Sequence, residues 1–139
     1  MIERMLQQLS PYCGRVYNEW YDEEKGILRQ VFIGQWSWMD YFWALTHELF
    51  LLTKRDDSIT ILYDLSGSET IPQGIWLLSK FEWVWNPDLW PPVIQRIIVI
   101  GTDPLLKEVL NVRSKISPES IRYFTRVDTL EEARELLEV

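Results

Sequence analysis

Residues able to act as nucleophiles, general bases or metal ligands are few in this sequence. It contains one histidine, His47, and one cysteine, Cys13. A structural zinc site needs about four such ligands, and a Ser-His-Asp or Cys-His arrangement would have to use His47. Asp40 falls near His47 on the polar side of a predicted helix, but no nucleophile accompanies them, so we interpret both as part of a solvated face. The sequence predicts that the protein is not an enzyme and holds no metal or other cofactor.

A second group of candidate site residues follows two predicted buried strands. These residues are Ser66, Gly67, Ser68, Thr70, Gly101 and Thr102. In a parallel α/β sheet, ligands bind beyond the carboxyl ends of the strands, and the N–H groups that begin the following helix attract anions. The pattern indicates either an anion-binding or regulatory loop, or two ordinary strand-to-helix turns, and we favour the ordinary turns.

Tryptophan is unusually frequent, with eight residues in a chain of 139. The segment 83–92 alone holds three of them beside prolines. Because a tryptophan side chain is rarely fully buried, some of the eight are expected at an interface or around an apolar ligand. The candidates are Trp76, Trp83, Trp85 and Trp90. The alternative interpretation is that these side chains fold back and close the edge of the core.

Alternating and apolar segments predict the elements that must position these residues. Five segments have the pattern of β-strands: Arg15–Tyr21, Ile27–Ile33, Ile59–Leu65, Ile97–Ile100 and Ile121–Thr125. A polar turn joins the first two into a β-hairpin. The third and fourth are almost wholly apolar, which is typical of parallel strands covered on both faces. The alternation of strands and helices predicts an α/β fold with a mixed, mostly parallel sheet.

About four helices are predicted, and the clearest begins at Ser37. Asp40 follows three residues later, which makes an acidic variant of the capping box. The pattern predicts that this helix runs to about Thr53. Its core-facing residues are predicted to be Phe42, Leu45, Leu49 and Leu52.

Start signals mark the other predicted helices as well. Thr70 and Gln73 form a capping box with a proline between them, and Gly101–Pro104 precedes the next amphipathic pattern. Asp128–Glu131 begins the last helix. A further short amphipathic helix is predicted at residues 2–9.

The composition is that of one ordinary folded domain spanning residues 1–139, with a mass of 16.7 kDa. A net charge of −7 and a pI near 4.7 disfavour contact with phosphate backbones, so no nucleic-acid partner is predicted. No apolar stretch approaches the ~18 residues of a transmembrane helix, and the N-terminus lacks the pattern of a signal peptide. A single cysteine suits a reducing compartment, so we expect a cytoplasmic location.

The order of elements and two short motifs resemble the STAS domain, the fold of bacterial anti-sigma-factor antagonists of the SpoIIAA type. The segment Ile61–Gly67 is similar to the strand that ends in Asp-Leu-Ser in those proteins. Phe124, Asp128 and Glu131–Ala133 are similar to the closing strand and helix of the family. The resemblance covers the chain from Val16 onward and implies a STAS-like domain.

The resemblance implies a regulatory module, but the sequence departs from the family at the phosphorylation site. Regulatory members carry a phosphorylatable Ser or Thr in a pattern such as Asp-Ser-Ser-Gly. Here residues 69–74 read Glu-Thr-Ile-Pro-Gln-Gly, with Thr70 as the nearest hydroxyl. The looser group of stand-alone SpoIIAA-like proteins, which also looks similar to the lipid-carrying CRAL-TRIO fold, is the better match.

Two functional expectations follow from the residues and the resemblance together. The first is a non-enzymatic, cytoplasmic protein-interaction module, which forms a homodimer or binds a protein partner through its tryptophan-rich surface. The second is a carrier or sensor of a small apolar or amphipathic ligand in a tryptophan-lined pocket.

Overall fold

The chain builds one mixed sheet with helices on both faces, as seen in a computed structural model that describes residues 14–74 and 86–138. The strands are β1 (Val16–Asp22), β2 (Ile27–Gly34), β3 (Ile59–Ser68), β4 (Ile94–Ile100) and β5 (Phe124–Val127). Their order in the sheet is β1-β2-β3-β4-β5, with β1 antiparallel to β2 and every later neighbour parallel. The prediction of an α/β fold with a mostly parallel sheet and an opening hairpin is confirmed.

Three α-helices lie within the described residues. They are α1 (Trp38–Leu52), α2 (Pro104–Ile116) and α3 (Leu130–Leu137). The helix predicted at residues 2–9 and Cys13 lie outside the described residues, as do residues 75–85. Residues 70–74 are not helical, so the capping box predicted at Thr70 does not begin a helix there.

The hairpin between β1 and β2 depends on a glycine. Gly26 has a φ of +68°, and a Cβ at this position would lie 2.6 Å from the backbone oxygen of Ser58. Its amide donates to the carbonyl of Glu23 at 3.2 Å, which closes the turn. Any side chain at position 26 would strain both the turn and its contact with the loop before β3.

Helix α1 begins with the predicted capping box. The Ser37 side chain accepts a hydrogen bond from the Asp40 amide at 3.1 Å, and the Asp40 carboxylate accepts one from the Ser37 amide at 2.8 Å. Asp40 is buried, so its predicted place on a solvated face is wrong. The cap folds this short side chain back over the helix start, where it is covered.

The core-facing side of α1 is rotated from the predicted one. Leu45 and Leu52 are buried as predicted, but Phe42 and Leu49 are only partly buried. The remaining inward positions are taken by Tyr41, Ala44, Glu48 and Leu51. The tyrosine and the glutamate carry polar atoms, and an apolar pattern therefore misses them.

The two faces of the sheet are covered by different helices. On one face, Ile61 of β3 and Ile97 of β4 pack with α1 and with Leu106 of α2. On the other, Leu62 and Ile98 of the same strands pack with Ala133 of α3. Helices α1 and α2 therefore share one face of the sheet, and α3 covers the other.

Strand boundaries differ from the prediction where polar residues lie within a strand. Strand β4 begins at Ile94, three residues before the apolar run that the sequence pattern detects. Strand β5 begins at Phe124, because the preceding residues 120–123 form a short 3-10 helix. Strand β3 continues to Ser68, so part of the predicted loop belongs to the sheet.

Candidate functional site

A cavity of about 120 Å³ lies between α1, the sheet and α2. Aromatic rings form much of its wall, with aliphatic side chains from α1 and β4 completing it. Within the described part of the chain, one carboxyl and one guanidinium group line it, from Glu48 and Arg113. The cavity is therefore an apolar space with a few polar atoms, which is the usual character of a small-molecule site.

Glu48 brings a carboxyl group into this apolar wall. It lies one turn after Leu45 on the inward face of α1, and only 3% of its surface is exposed. Its Oε1 atom has no hydrogen-bond partner among the described residues. Burial raises the pKa of Glu48 to about 8, although a hydrogen bond with Tyr63 opposes this shift. At neutral pH the carboxyl is therefore mostly protonated and uncharged.

Two tyrosine hydroxyls accompany the carboxyl. Tyr41 comes from the first half of α1 and Tyr63 from β3, and the two side chains are joined by a hydrogen bond. Burial raises the pKa of Tyr41 to about 12 and that of Tyr63 well above its ordinary value. Both hydroxyls therefore stay neutral and keep their protons throughout the physiological range.

Arg113 brings positive charge to the same cavity from the last turn of α2. Its guanidinium carbon lies 4.6 Å from the centre of the Phe124 ring, which is a cation–π contact. Burial lowers the pKa of Arg113, because removing the cation from water disfavours the charged form. The position in the final helical turn opposes this cost, since the helix dipole favours a cation there.

A smaller cavity of about 70 Å³ continues from the first toward the start of α1. The two share four lining residues: Tyr41, Tyr63, Arg113 and Phe124. The polar atoms therefore lie between two apolar spaces.

Trp36 and Trp38 line the far end of the smaller cavity. Their rings meet edge to face at 5.2 Å. The indole N–H of Trp36 donates to the Ser68 hydroxyl, and that of Trp38 donates to the Gln73 carbonyl, each at 2.7 Å. Both rings are thus fixed by a hydrogen bond at one end and by aromatic packing at the other.

An open groove of about 860 Å³ adjoins the first cavity on its other side, where the end of α1 faces residues 89–93. Leu49, Leu89, Trp90 and Pro91 line both spaces. These four side chains therefore lie between the cavity and the groove.

Trp90 is the predicted site tryptophan that the described residues include. It is half-buried and packs edge to face on Tyr123 at 5.4 Å and on Phe124 at 6.3 Å. It also lines the cavity. Its predicted companions lie outside the described residues; they are Trp76, Trp83 and Trp85.

In the predicted anion loop after β3, the polar groups of the two serines form hydrogen bonds within the protein. Ser66, Gly67 and Ser68 lie within the strand. The Ser66 amide and hydroxyl both donate to the Asp64 carboxylate, at 3.0 and 2.6 Å. The Ser68 hydroxyl accepts from Trp36. The donors of Ser66 thus already meet an anion, which is supplied by the chain itself.

The remaining loop candidates are also engaged locally. The Thr70 hydroxyl donates to the Ile71 carbonyl at 3.5 Å. The Gly101 amide donates to the Val127 carbonyl at 3.0 Å, which joins it to β5, and Thr102 is exposed beside it. An anion or regulatory role for these loops stays a prediction.

Asp40 and His47, which the sequence predicts to lie on one solvated face, contact different parts of the protein. Asp40 caps α1. The Nδ1 atom of His47 lies 3.2 Å from Nδ2 of Asn18, which also donates to the Ala44 carbonyl, while Oδ1 of Asn18 accepts from Nε2 of Gln30. His47 therefore belongs to a polar network that ties α1 to the hairpin.

On the opposite face of the sheet, Arg29 forms ion pairs with Asp64 and Glu19. Burial opposes ionisation of Asp64, but hydrogen bonds from Ser66 and Arg29 outweigh it and hold the pKa of this carboxyl below its ordinary value. Among the described residues, no cluster of three or more His, Cys, Asp or Glu side chains is arranged to hold a metal ion. Nor does any helix in the described ranges have the length and apolar character needed to cross a membrane.

Sequence reasoning missed the polar centre of the cavity: Tyr41, Glu48, Tyr63 and Arg113. One signal was available for Glu48. It lies three residues after Leu45 and four before Leu52, so an acid occupies a position of the apolar stripe. Tyr63 and Arg113 carry no such local signal, because their meeting depends on how β3 and α2 pack.

Comparison with known proteins finds no matching family model, no matching curated protein and no matching solved structure. The resemblance to STAS domains accordingly stays a prediction.

Proposed function

We propose that the protein binds a small, mainly apolar molecule in the cavity beneath α1 and does not transform it chemically. The observation that supports this most is the buried carboxyl of Glu48, which lines an apolar, aromatic-walled space and whose Oε1 has no hydrogen-bond partner among the described residues. A buried polar atom without a partner costs free energy of about 1–3 kcal/mol, and a ligand that supplies the partner recovers it.

The size of the cavity limits the ligand. Its volume of about 120 Å³ is close to that of an apolar protein cavity of roughly 150 Å³ that binds benzene. It is smaller than the roughly 300 Å³ at which drug-sized sites begin. A molecule with one ring, extending toward the smaller cavity, is the size we propose. The carrier or sensor that the sequence leads us to expect is therefore proposed here for a ligand of this size.

Filling the cavity tests this function. Leu45 is buried, and its side chain lines the space. We expect Leu45→Phe to reduce the affinity for one-ring molecules at least tenfold, because the larger ring occupies their place, while the overpacking costs roughly 1–3 kcal/mol of stability. Binding is measured by titrating small cyclic compounds into the protein and following its ¹H–¹⁵N amide spectrum.

Leu105→Phe is the matched control, since Leu105 lies on α2 with 38% of its surface exposed and does not line the cavity. Wild-type affinity is expected for this variant. The proposed function is contradicted if the wild type binds no one-ring molecule, or if folded Leu45→Phe binds them as well as the wild type.

A second candidate is the cytoplasmic, STAS-like interaction module that the resemblance implies, acting as a homodimer. The observation in its favour is an exposed apolar stripe on the outer side of α1, formed by Met39, Trp43 and Phe50, with 59, 44 and 40% of their surfaces exposed. Monomeric proteins seldom expose large apolar side chains in contiguous patches.

Sedimentation at increasing concentration tests this candidate. The expected result is a dimer of the wild type that Trp43→Ser weakens at least tenfold, because the variant removes the largest ring of the stripe. Val112→Ser on the outer side of α2 is the control, since Val112 is similarly exposed at 37%. A wild type that remains monomeric at high concentration overturns the homodimer.

A further inference from the structure

The carboxyl of Glu48 restricts which polar group a ligand can carry. Its Oε1 atom has no hydrogen-bond partner among the described residues, and the surrounding wall is mainly apolar. An ionised carboxylate that lacks full compensation in such a place is strongly disfavoured, so the group keeps its proton. A protonated carboxyl has one O–H donor to offer.

Several groups face Glu48, and of these Tyr63 favours the ionised carboxylate through its hydrogen bond, but burial outweighs this effect. These groups are Tyr41 on the same helix, Tyr63 on β3 and Arg113 on α2, while β4 and β5 present Ile97 and Phe124. Both tyrosines are neutral donors. A cationic ligand would meet the guanidinium of Arg113, and it would have to remove the proton of Glu48 to find an opposite charge.

We infer that the ligand is uncharged and carries a hydrogen-bond-accepting oxygen, such as the carbonyl of a small cyclic ketone, and that the O–H of Glu48 donates to this oxygen. This inference rests on the proposed function and deepens it, because it names the chemical class that the cavity selects. The apolar ring of the ligand would lie against the aromatic wall, and its oxygen would lie toward the polar centre.

Two probes of nearly equal shape separate this inference from simple apolar burial. Cyclohexanone has a carbonyl oxygen where methylenecyclohexane has a CH₂ group. At pH 6.5 we expect cyclohexanone to bind roughly three- to tenfold more tightly, which is the range of one net hydrogen bond.

The same probes are then compared at pH 9.5. Burial raises the pKa of Glu48 to about 8, so most molecules lose the carboxyl proton at this pH, and the affinity for cyclohexanone should fall by the same three- to tenfold that the hydrogen bond supplies. The preference over methylenecyclohexane should be lost. Circular dichroism at both pH values checks that the protein remains folded.

Variants identify the group responsible. Glu48→Gln keeps an N–H donor but cannot titrate, so it should bind cyclohexanone with little change between the two pH values. Glu48→Leu should bind both probes equally. Glu108→Gln, at an exposed position of α2, should retain the wild-type pH profile. If the wild type unfolds at pH 9.5, the comparison of Glu48→Gln with Glu48→Leu at pH 6.5 remains decisive.

The outcomes distinguish failure of this inference from failure of the proposed function. Equal binding of the two probes to the wild type at pH 6.5 overturns the inference and leaves the proposed function standing. Tighter binding of cyclohexylamine or of cyclohexanecarboxylate than of cyclohexanone also overturns it, because the site would then select charge. Binding of none of the four molecules refutes both.

Discussion

At the scale of the residue, Glu48 is held as a neutral acid by the apolar wall around it. Its pKa is raised from an ordinary value of 4.5 to about 8 in the folded protein, with burial as the main cause. The folded state therefore binds this proton more tightly than the unfolded state does. The resulting contribution to stability is full below about pH 4.5, decreases as the pH rises, and is lost by about pH 8.

Replacing Glu48 with glutamine should remove this pH dependence. We expect the free energy of unfolding of the wild type, minus that of Glu48→Gln, to fall by up to about 1.4 kcal/mol per pH unit between pH 5 and pH 8 and to level off above that. Urea unfolding at a series of pH values measures this difference. The same subtraction with Glu108→Gln should show no such fall. A difference between the wild type and Glu48→Gln that stays constant with pH would contradict the assigned protonation state.

At the scale of the element, the cap of α1 positions the residues of the cavity. Ser37 and Asp40 satisfy each other's amides at the helix start, and the helix then carries Tyr41, Leu45 and Glu48 to the cavity wall. Because Asp40 is buried, loss of the Ser37 hydroxyl would leave the Asp40 amide without its hydrogen-bond acceptor inside the protein. The cap therefore supports both the stability of the fold and the geometry of the site.

The variant Ser37→Ala tests this double role. We expect a loss of about 1–2 kcal/mol in the free energy of unfolding and a several-fold loss of affinity for cyclohexanone, as measured by denaturation and by amide spectra. Thr129→Ala is the matched control, because Thr129 caps α3 on the opposite face of the sheet. It should lose similar stability and keep its affinity, and equal affinity losses in the two variants would rule out a specific link between the α1 cap and the cavity.

Several elements could be predicted because their signals are local. The cap at Ser37, the glycine turn at Gly26 and the apolar run of β3 each depend on residues adjacent in the chain. Strand β4 begins earlier than predicted because Gln95 and Arg96 interrupt the apolar pattern, while the ladder to β3 includes Arg96. Local composition therefore indicates that an element exists more reliably than where it begins.

At the scale of the whole molecule, the cavity is a product of packing that no local pattern contains. Glu48, Tyr63 and Arg113 are brought together by α1, β3 and α2, which are far apart in sequence. The tryptophan-rich composition predicts an interface or an apolar ligand site, and Trp90 does line the cavity. Trp36 and Trp38 were missed because their place in the smaller cavity depends on how β3 and α2 pack against the start of α1.

The order of the strands also describes how the molecule is assembled. Each strand pairs with the strand before it in the chain. When a strand leaves the ribosome, the strand with which it pairs has therefore already been synthesised. A chain that has reached Ile100 contains three of the four strand pairings. The parallel pairs nevertheless join distant parts of the chain, such as Ile61 of β3 with Ile97 of β4, and pairing over such separations slows folding. The cavity is completed only after the first four strands have been synthesised, because Arg113 and Phe124 follow them in the chain.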